Sequence, residues 1–213
     1  MKYSIHKRGE IAMKNILKIM LMMITIYTIT GSAVYAAEIP VSDQDQLITS
    51  RDWTEISNLQ DEMKKEEPDA TIDYDKALKV YVDCNLIKLQ TADTKKLTSA
   101  LESANYVWVI PFKMEKTYGM FTVAKGLPLS EEAKSVLTKA EQEEVKNHAG
   151  KWMITETAEH TVEPYYDILL EKREALSDCT RVVLVGSQPG MRQPVALGMD
   201  DETARIWISL GYQ

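Results

Sequence analysis

The C-terminal stretch from Thr180 to Tyr212 constrains the fold most strongly. It contains three apolar runs separated by a Gly- and Pro-containing turn and by an acidic turn, at 181–185, 195–199 and 204–210. In the last run apolar residues occupy every second position, which is typical of a strand with one face on a core. The first two runs are apolar without alternation, as expected of inner strands covered on both sides. The stretch therefore predicts a three-stranded antiparallel meander.

Upstream, the sequence predicts helices that alternate with strands. The helices are an amphipathic one from Trp53 that ends before Pro68, one at 94–104 with Asp93 as N-cap, one from Ser130 to His148 stopped by Gly150, and one beginning near Pro164. The strands are 78–86, a hairpin of 106–112 and 118–124, and 151–157. We therefore predict an α+β fold: a mainly antiparallel sheet with the C-terminal meander and with helices packed on it.

The predicted strand from Leu78 to Leu86 alternates in polarity. Leu78 and Val80 fall on one side, which is expected to face the core, and Lys79 and Tyr81 fall on the other. This pattern predicts a half-buried strand, with Lys79 on the side away from the core.

The N-terminal residues predict an export signal. Lys14 and Lys18 precede an apolar run at 19–29, and small residues then lead to a cleavage site before Ala37. The run is shorter than the ~20 residues that span a bilayer, so cleavage is favoured over a retained anchor. We expect residues 1–36 to be a signal peptide, with 1–12 a gene-model extension, and the mature chain to be secreted. It would comprise an N-terminal helix and acidic loop at 37–76 and a compact α+β domain at 77–213.

The charge of the mature chain excludes some partners. The whole chain has a formal net charge of −7, and removal of residues 1–36 takes away five basic and one acidic side chain, which leaves −11. Nucleic acids and anionic membrane surfaces are bound through clustered Lys and Arg. We therefore expect no nucleic-acid partner. The sequence after the signal has no second apolar segment, so we also expect no stable membrane span after signal cleavage.

Both cysteines, Cys84 and Cys179, lie in the mature chain. Outside the cytoplasm such a pair is a candidate disulfide. Two separate buried thiols are the alternative, because sequence spacing does not fix the distance between the two Cα atoms.

The motifs of several enzyme classes are missing. Glu144 and His148 would share a helix face, and His160 lies downstream, but the paired-His and Cys spacings of zinc sites are not present, so a solvated helix end is the favoured interpretation. The turn at 186–190 lacks the Gly-x-Ser-x-Gly spacing of a hydrolase elbow and the Lys of a phosphate-binding loop. We therefore expect no metal and no cofactor.

Two surfaces are candidates for binding. Trp207 lies opposite the apolar stripe of its strand, beside Arg205, and could anchor a partner or stack on a sugar if that face is open. Burial under a helix is the favoured interpretation, since the neighbouring strands are predicted to be covered on both sides. Met191, Arg192 and Gln193 form the tip of the preceding loop, and Met and Arg are enriched at interfaces.

The leading functional hypothesis is a secreted or cell-envelope binding module without catalytic activity, whose partner is a protein or a glycan. It would use a sheet face or the loops at 113–117 and 187–193. One alternative is a cell-envelope hydrolase whose carboxylates converge only in the fold. The other is an inhibitor of a secreted enzyme, which would present a rigid protruding loop.

Overall fold

The computed structural model describes residues 39–82, 91–160, 163–186 and 194–210. Its strands, in chain order, are β1 (Thr71–Ile72), β2 (Leu78–Tyr81), β3 (Tyr106–Lys113), β4 (Tyr118–Lys125), β5 (Trp152–His160), β6 (Arg181–Val185), β7 (Val195–Met199) and β8 (Ala204–Ser209). Its α-helices are α1 (Trp53–Ile56), α2 (Gln60–Glu66), α3 (Thr94–Ser103), α4 (Glu131–Val136), α5 (Lys139–His148) and α6 (Tyr165–Glu171). A 3₁₀ turn, Ser57–Leu59, joins α1 to α2, so one helical segment ends before Pro68 as predicted.

The eight strands form one sheet in the order β5-β4-β3-β2-β6-β7-β8, with β1 paired to the outer part of β3. All pairings between these strands are antiparallel except that of β2 with β6, which is parallel. The predicted α+β class, the hairpin of β3 and β4, and the C-terminal meander are confirmed. No helix in the described ranges is both long enough and apolar enough to cross a membrane.

The sheet has a lower face, defined by the side of β2 that carries Leu78 and Val80, and an upper face, which carries Lys79 and Tyr81. On the lower face a single apolar cluster includes these two residues and extends across β6 and β7 to Leu210. Leu169 of α6 covers this face and is fully buried. Leu176 lies beyond the end of α6 and is also fully buried there.

The upper face carries two apolar clusters rather than one. The first surrounds Trp108 and covers β3, β4 and part of β5, and the second lies between β6, β7 and α3. Residues 39–76 contribute to the first cluster through Leu47, Ile56 and Met63, each fully buried. The described residues from Ile39 onward belong to one compact unit. Tyr106 packs against both clusters, and the Lys79 side chain of β2 lies over the rings of Tyr81 and Trp108, one from each cluster.

The expectation that β2 is half-buried is wrong. All four of its residues are buried, and Lys79 is only 9% exposed. The reason is its place in the sheet: β3 and β6 flank it, and the polypeptide at 43–52 together with α3 covers the upper face. Alternation in the sequence identified the two sides of the strand correctly, but the polar side faces a second layer instead of solvent.

The single helix predicted from Ser130 to His148 is also wrong, because the chain breaks at Leu137 and starts a new helix. Thr138 is the N-cap of α5: its hydroxyl accepts from the Glu141 N–H, and the Glu141 carboxylate accepts from the Thr138 N–H. This capping box satisfies donors that a continuous helix would have bonded internally. The predicted stop is confirmed, since Gly150 adopts φ +75°, a conformation that favours glycine.

Asp93 caps α3 as predicted. Its carboxylate accepts from the N–H groups of Lys95 and Lys96 at 3.0 and 3.2 Å. We expect Asp93→Ala to lower the free energy of unfolding by about 1 kcal/mol, because two helix donors lose their acceptor. Asp93→Asn keeps an acceptor oxygen and is expected to retain most of that stability. Urea unfolding of the three proteins measures both effects, and an Asp93→Ala protein as stable as the parent would contradict the capping role.

Candidate functional site

A polar cavity of ≈470 Å³ opens on the upper face above β2. We call it the lysine pocket. Its inner wall comes from the strands, its outer walls come from the polypeptide before α1 and from α3, and acidic side chains stand among its outer residues. The residues that line the cavity include Asp43, Arg51, Asp52, Lys79, Tyr81, Thr98, Leu101, Glu102, Tyr106 and Arg181.

Strand register brings the inner residues together. Lys79 pairs with Trp108 and Tyr81 pairs with Tyr106 across β2 and β3, so all four side chains share the upper face. Arg181 begins β6, the parallel neighbour on the other side of β2. Because side chains in a strand alternate between faces, this arrangement requires only that the three strands pair in this order.

Asp45 lies beneath the pocket and is 2% exposed. Its carboxylate accepts from the Ser42 hydroxyl at 2.6 Å and from the Tyr81 hydroxyl at 2.7 Å. It also accepts from the Nε and Nη2 atoms of Arg181 at 3.2 and 2.8 Å. A buried carboxylate with this many donors is satisfied, and it fixes the position of the 43–45 turn on the sheet.

Asp52 occupies the N-cap position of α1, but its side chain makes no capping bond. The carboxylate turns toward the sheet instead and accepts from the Tyr106 hydroxyl at 2.8 Å and the Trp108 indole N–H at 3.0 Å. The helix thus gives up one cap so that two buried aromatic donors are satisfied. This exchange ties the start of α1 to β3.

Lys79 lies within this network but makes no hydrogen bond to a described residue. Its ammonium lies 3.8 Å from the nearest Asp45 oxygen, which is outside hydrogen-bonding range. The Nζ atom lies 4.4 Å from the ring centroid of Tyr106 and 5.1 Å from that of Trp108. Cation–π attraction stabilises the charge on that side, and the cavity lies on the open side.

The environment shifts the protonation of the pocket residues. Burial lowers the pKa of Lys79 from its ordinary value, and the charges of Asp45 and Asp52 only partly oppose this. Burial also raises the pKa of Tyr106 to about 12, with Asp52 adding to the effect, and raises that of Tyr81, with Asp45 adding to it. Both tyrosines are therefore neutral donors to their carboxylates at physiological pH.

Trp207 and Arg205, the candidates on the last strand, lie away from the lysine pocket. Strand β8 is at the edge of the sheet, with β6 and β7 between it and β2. Trp207 is 61% exposed, so its favoured interpretation as a core residue is wrong. Trp207 pairs with Leu197 of β7 on the upper face. The apolar cluster under α3 includes Leu197 but does not extend to Trp207. The Arg205 side chain is exposed and pairs with Asp200.

The other candidates have mixed outcomes. Met191, Arg192 and Gln193 lie outside the described residues, as does Cys84. Cys179 is a free, partly buried thiol in the described part of the chain, and burial raises its pKa. Its sulfur packs so closely against Gly198 that a Cβ there would lie 2.6 Å from Sγ.

No group of three or more potential metal ligands occurs among the described His, Cys, Asp and Glu residues. In the pocket, Asp45 and Asp52 already accept hydrogen bonds from protein donors. The inner wall of the cavity instead offers the Lys79 ammonium, and Arg51, Asp43 and Glu102 line its outer part. This arrangement can recognise a ligand that offers hydrogen-bond acceptors.

Sequence patterns did not single out the residues of this pocket. Lys79 falls on the polar side of a strand predicted to be half-buried, and Asp45 and Asp52 lie in the segment 37–76, before the predicted compact domain. One local signal did exist: Asp52 precedes the apolar spacing that begins at Trp53, which is typical of an N-cap. The partners of that carboxylate are 54 and 56 residues away, and sequence spacing does not indicate them.

Removing the Arg181 guanidinium should leave the buried Asp45 charge poorly compensated. We expect Arg181→Met to lower the free energy of unfolding by about 3 kcal/mol. Arg205→Met removes the same group from an ion pair in which the arginine is 63% exposed, and is expected to cost less than about 1 kcal/mol. Chemical denaturation of both variants measures the contrast. Equal losses would show that Asp45 does not depend on Arg181.

Lys79 should destabilise the folded protein at neutral pH. Its pKa is lowered on folding, so between that lowered value and the ordinary 10.5 the unfolded chain binds more protons than the folded one. The stability of the parent should therefore rise with pH across that window, relative to Lys79→Met. We expect Lys79→Met to be at least as stable as the parent at pH 7 and to lose its advantage by about pH 10.

Thermal or urea unfolding from pH 7 to 10 measures this difference. The raised tyrosine pKa values lower stability above their ordinary value of 10.0 in both proteins, so they cancel in the comparison. A Lys79→Met protein that is several kcal/mol less stable at pH 7 would contradict the view that the ion pair and ring contacts of the ammonium do not offset its burial.

Comparison with known proteins gives this chain no relative: no family model, no curated protein and no solved structure matches it. The chemistry of the lysine pocket therefore carries the functional conclusion.

Proposed function

We propose that the chain is a secreted or cell-envelope binding module without catalytic activity, and that the lysine pocket is its ligand site. One observation carries the proposal: the Lys79 ammonium is buried, makes no hydrogen bond to a described residue, and lines an open cavity. A buried charge without hydrogen bonds costs stability. Such a cost is retained where function requires the group.

The size and lining of the cavity fit a small ligand. Its volume of ≈470 Å³ lies within the range of about 300–1,000 Å³ typical of small-molecule sites. Leu101 and the Tyr106 ring supply apolar wall, and Thr98 adds a hydroxyl. A few polar groups that converge within a mixed lining are what orient a ligand in such sites.

The buried carboxylates support binding over hydrolysis. A glycosidase needs one carboxyl group free to give a proton and another free to attack or to activate water. Asp45 and Asp52 instead both accept hydrogen bonds from fixed protein donors. The two buried groups serve to hold the pocket together, so neither of them is free for the acid or base step of a hydrolase.

The inhibitor hypothesis requires a rigid protruding loop. The tip of the β3–β4 hairpin is short, because the Met114 N–H donates to the Thr117 carbonyl at 2.9 Å. Met114 itself packs against the core, so the exposed residues at 113–117 are Lys113, Glu115 and Lys116. This tip offers little surface for insertion into an enzyme.

The proposal can be tested by thermal unfolding of the purified protein with defined compounds. The panel contains neutral sugars and oligosaccharides, organic acids, amino acids, short peptides and phosphate esters. We expect at least one class to raise the unfolding midpoint, by about 5–10 °C at 100 times its Kd. The shift should be lost in Lys79→Met, and mass spectrometry should recover the compound unchanged.

Lys125→Met is the matched control. Lys125 also lies over an aromatic ring, that of Trp152 at 5.5 Å, but its side chain is 45% exposed and is not part of the pocket lining. Stabilisation that survives Lys79→Met and disappears in Trp207→Ala would move the site to β8 and overturn the proposal. Absence of any stabilising class would overturn small-molecule binding, and conversion of the compound would overturn a non-catalytic role.

A further inference from the structure

We infer, on the basis of the proposed function, that the ligand of the lysine pocket presents a single carboxylate group, which the Lys79 ammonium binds from inside and the Arg51 guanidinium from outside. Neither residue was a candidate in the sequence analysis. Four features of the pocket support this ligand class: the N–H groups of Lys79, the cations of its wall, the space in the cavity and the position of its exposed carboxylates.

The group left without a hydrogen bond at the inner wall of the pocket is a donor. The Tyr81 and Tyr106 hydroxyls already donate to Asp45 and Asp52. Lys79 keeps its N–H groups without an acceptor among the described residues, since its nearest carboxylate oxygen is 3.8 Å away. A ligand that completes the site must therefore bring an acceptor.

Arg51 adds a second cation at the outer wall. Its guanidinium lies close enough to the Tyr106 hydroxyl to oppose the rise in that pKa. It forms no ion pair with any described residue, and the residue is exposed. A planar guanidinium matches the two oxygens of a carboxylate, which gives orientation as well as charge.

The charges of the pocket favour a monoanion. At the inner wall the cations Lys79 and Arg181 face the two buried carboxylates of Asp45 and Asp52, and Arg51 adds one further positive charge at the outer wall. The exposed carboxylates of Asp43 and Glu102 also line the cavity, and they would repel a second negative charge. A carboxylate therefore fits better than a doubly charged phosphate ester.

The remaining space accommodates an organic body. The deep ammonium fixes one end of the ligand, and the side chains of Leu101 and Thr98 on α3 face the rest of the cavity. Asp43 and Glu102 could receive an ammonium group on the ligand. Two sources of the same carboxylate chemistry are thus open, a simple organic acid and an amino acid.

Protonation of Lys79 links binding to pH. Burial and the charges of Arg181 and Arg51 lower the pKa of Lys79, and a bound carboxylate would raise it again. Affinity for a carboxylate should therefore fall as pH rises through the lowered pKa of the free protein. A neutral ligand would show no such loss.

The test uses isothermal titration of the full-length purified protein with four probes of one shape: 3-phenylpropanoate, 3-phenylpropanamide, L-phenylalanine and phenyl phosphate. We expect at least one of the two carboxylates to bind 10-fold or more tightly than the neutral amide, which corresponds to the charged hydrogen bonds that the amide cannot form. The preference should disappear in Lys79→Met, persist in Lys125→Met and be partly restored in Lys79→Arg. Unfolding curves of each variant confirm that it is folded.

The outcomes separate the inference from the proposed function. Tighter binding of 3-phenylpropanoate indicates an organic acid, and tighter binding of L-phenylalanine an amino acid, and both support the inference. Equal binding of the amide, or tighter binding of phenyl phosphate, would overturn the carboxylate class and leave pocket binding intact. If none of the four binds while a neutral sugar stabilises the protein through Lys79, the inference fails and the proposed function stands. If no compound of any class acts through Lys79, both fail.

Discussion

The buried carboxylate of Asp45 is the interaction on which the upper layer of this domain depends. It is 2% exposed and receives hydrogen bonds from Ser42, Tyr81 and Arg181, which belong to the N-terminal loop, to β2 and to β6. A buried carboxylate without donors would cost several kcal/mol. The three segments therefore have to come together for the charge to be tolerated, and this keeps the loop at 39–52 on the central strands.

The hydrogen bonds and ion pairs around Asp45 also explain why the upper core has two parts. One apolar cluster surrounds Trp108 and the other lies under Leu101 of α3, and the ion-pair network occupies the space between them. Apolar side chains could have filled that space at lower cost. The structure instead keeps a cavity with an unsatisfied ammonium, Lys79, against aromatic rings. Under the proposed function, this loss of stability falls at the ligand site.

Local patterns predicted most of the secondary structure, since they depend on neighbours in the chain. Asp93 was identified as an N-cap because the acceptor and its two donors lie within three residues. The break at Thr138 was missed, although Glu141 three residues later completes a capping box. Trp207 was assigned to the core because its strand follows two buried ones, whereas the covering helix does not extend over the edge strand.

The sequence by itself determined the elements, their order and the side chains that share a face of each strand, because periods of 2.0 and 3.6 residues are properties of the local backbone. Only the tertiary structure decided which layer covers each face. Lys79 alternates with apolar residues in the same way as a solvent-exposed lysine does. It becomes a buried pocket residue because β2 pairs between β3 and β6, and because a loop whose Asp45 is 136 residues from Arg181 closes over it. No local period encodes a contact over that distance.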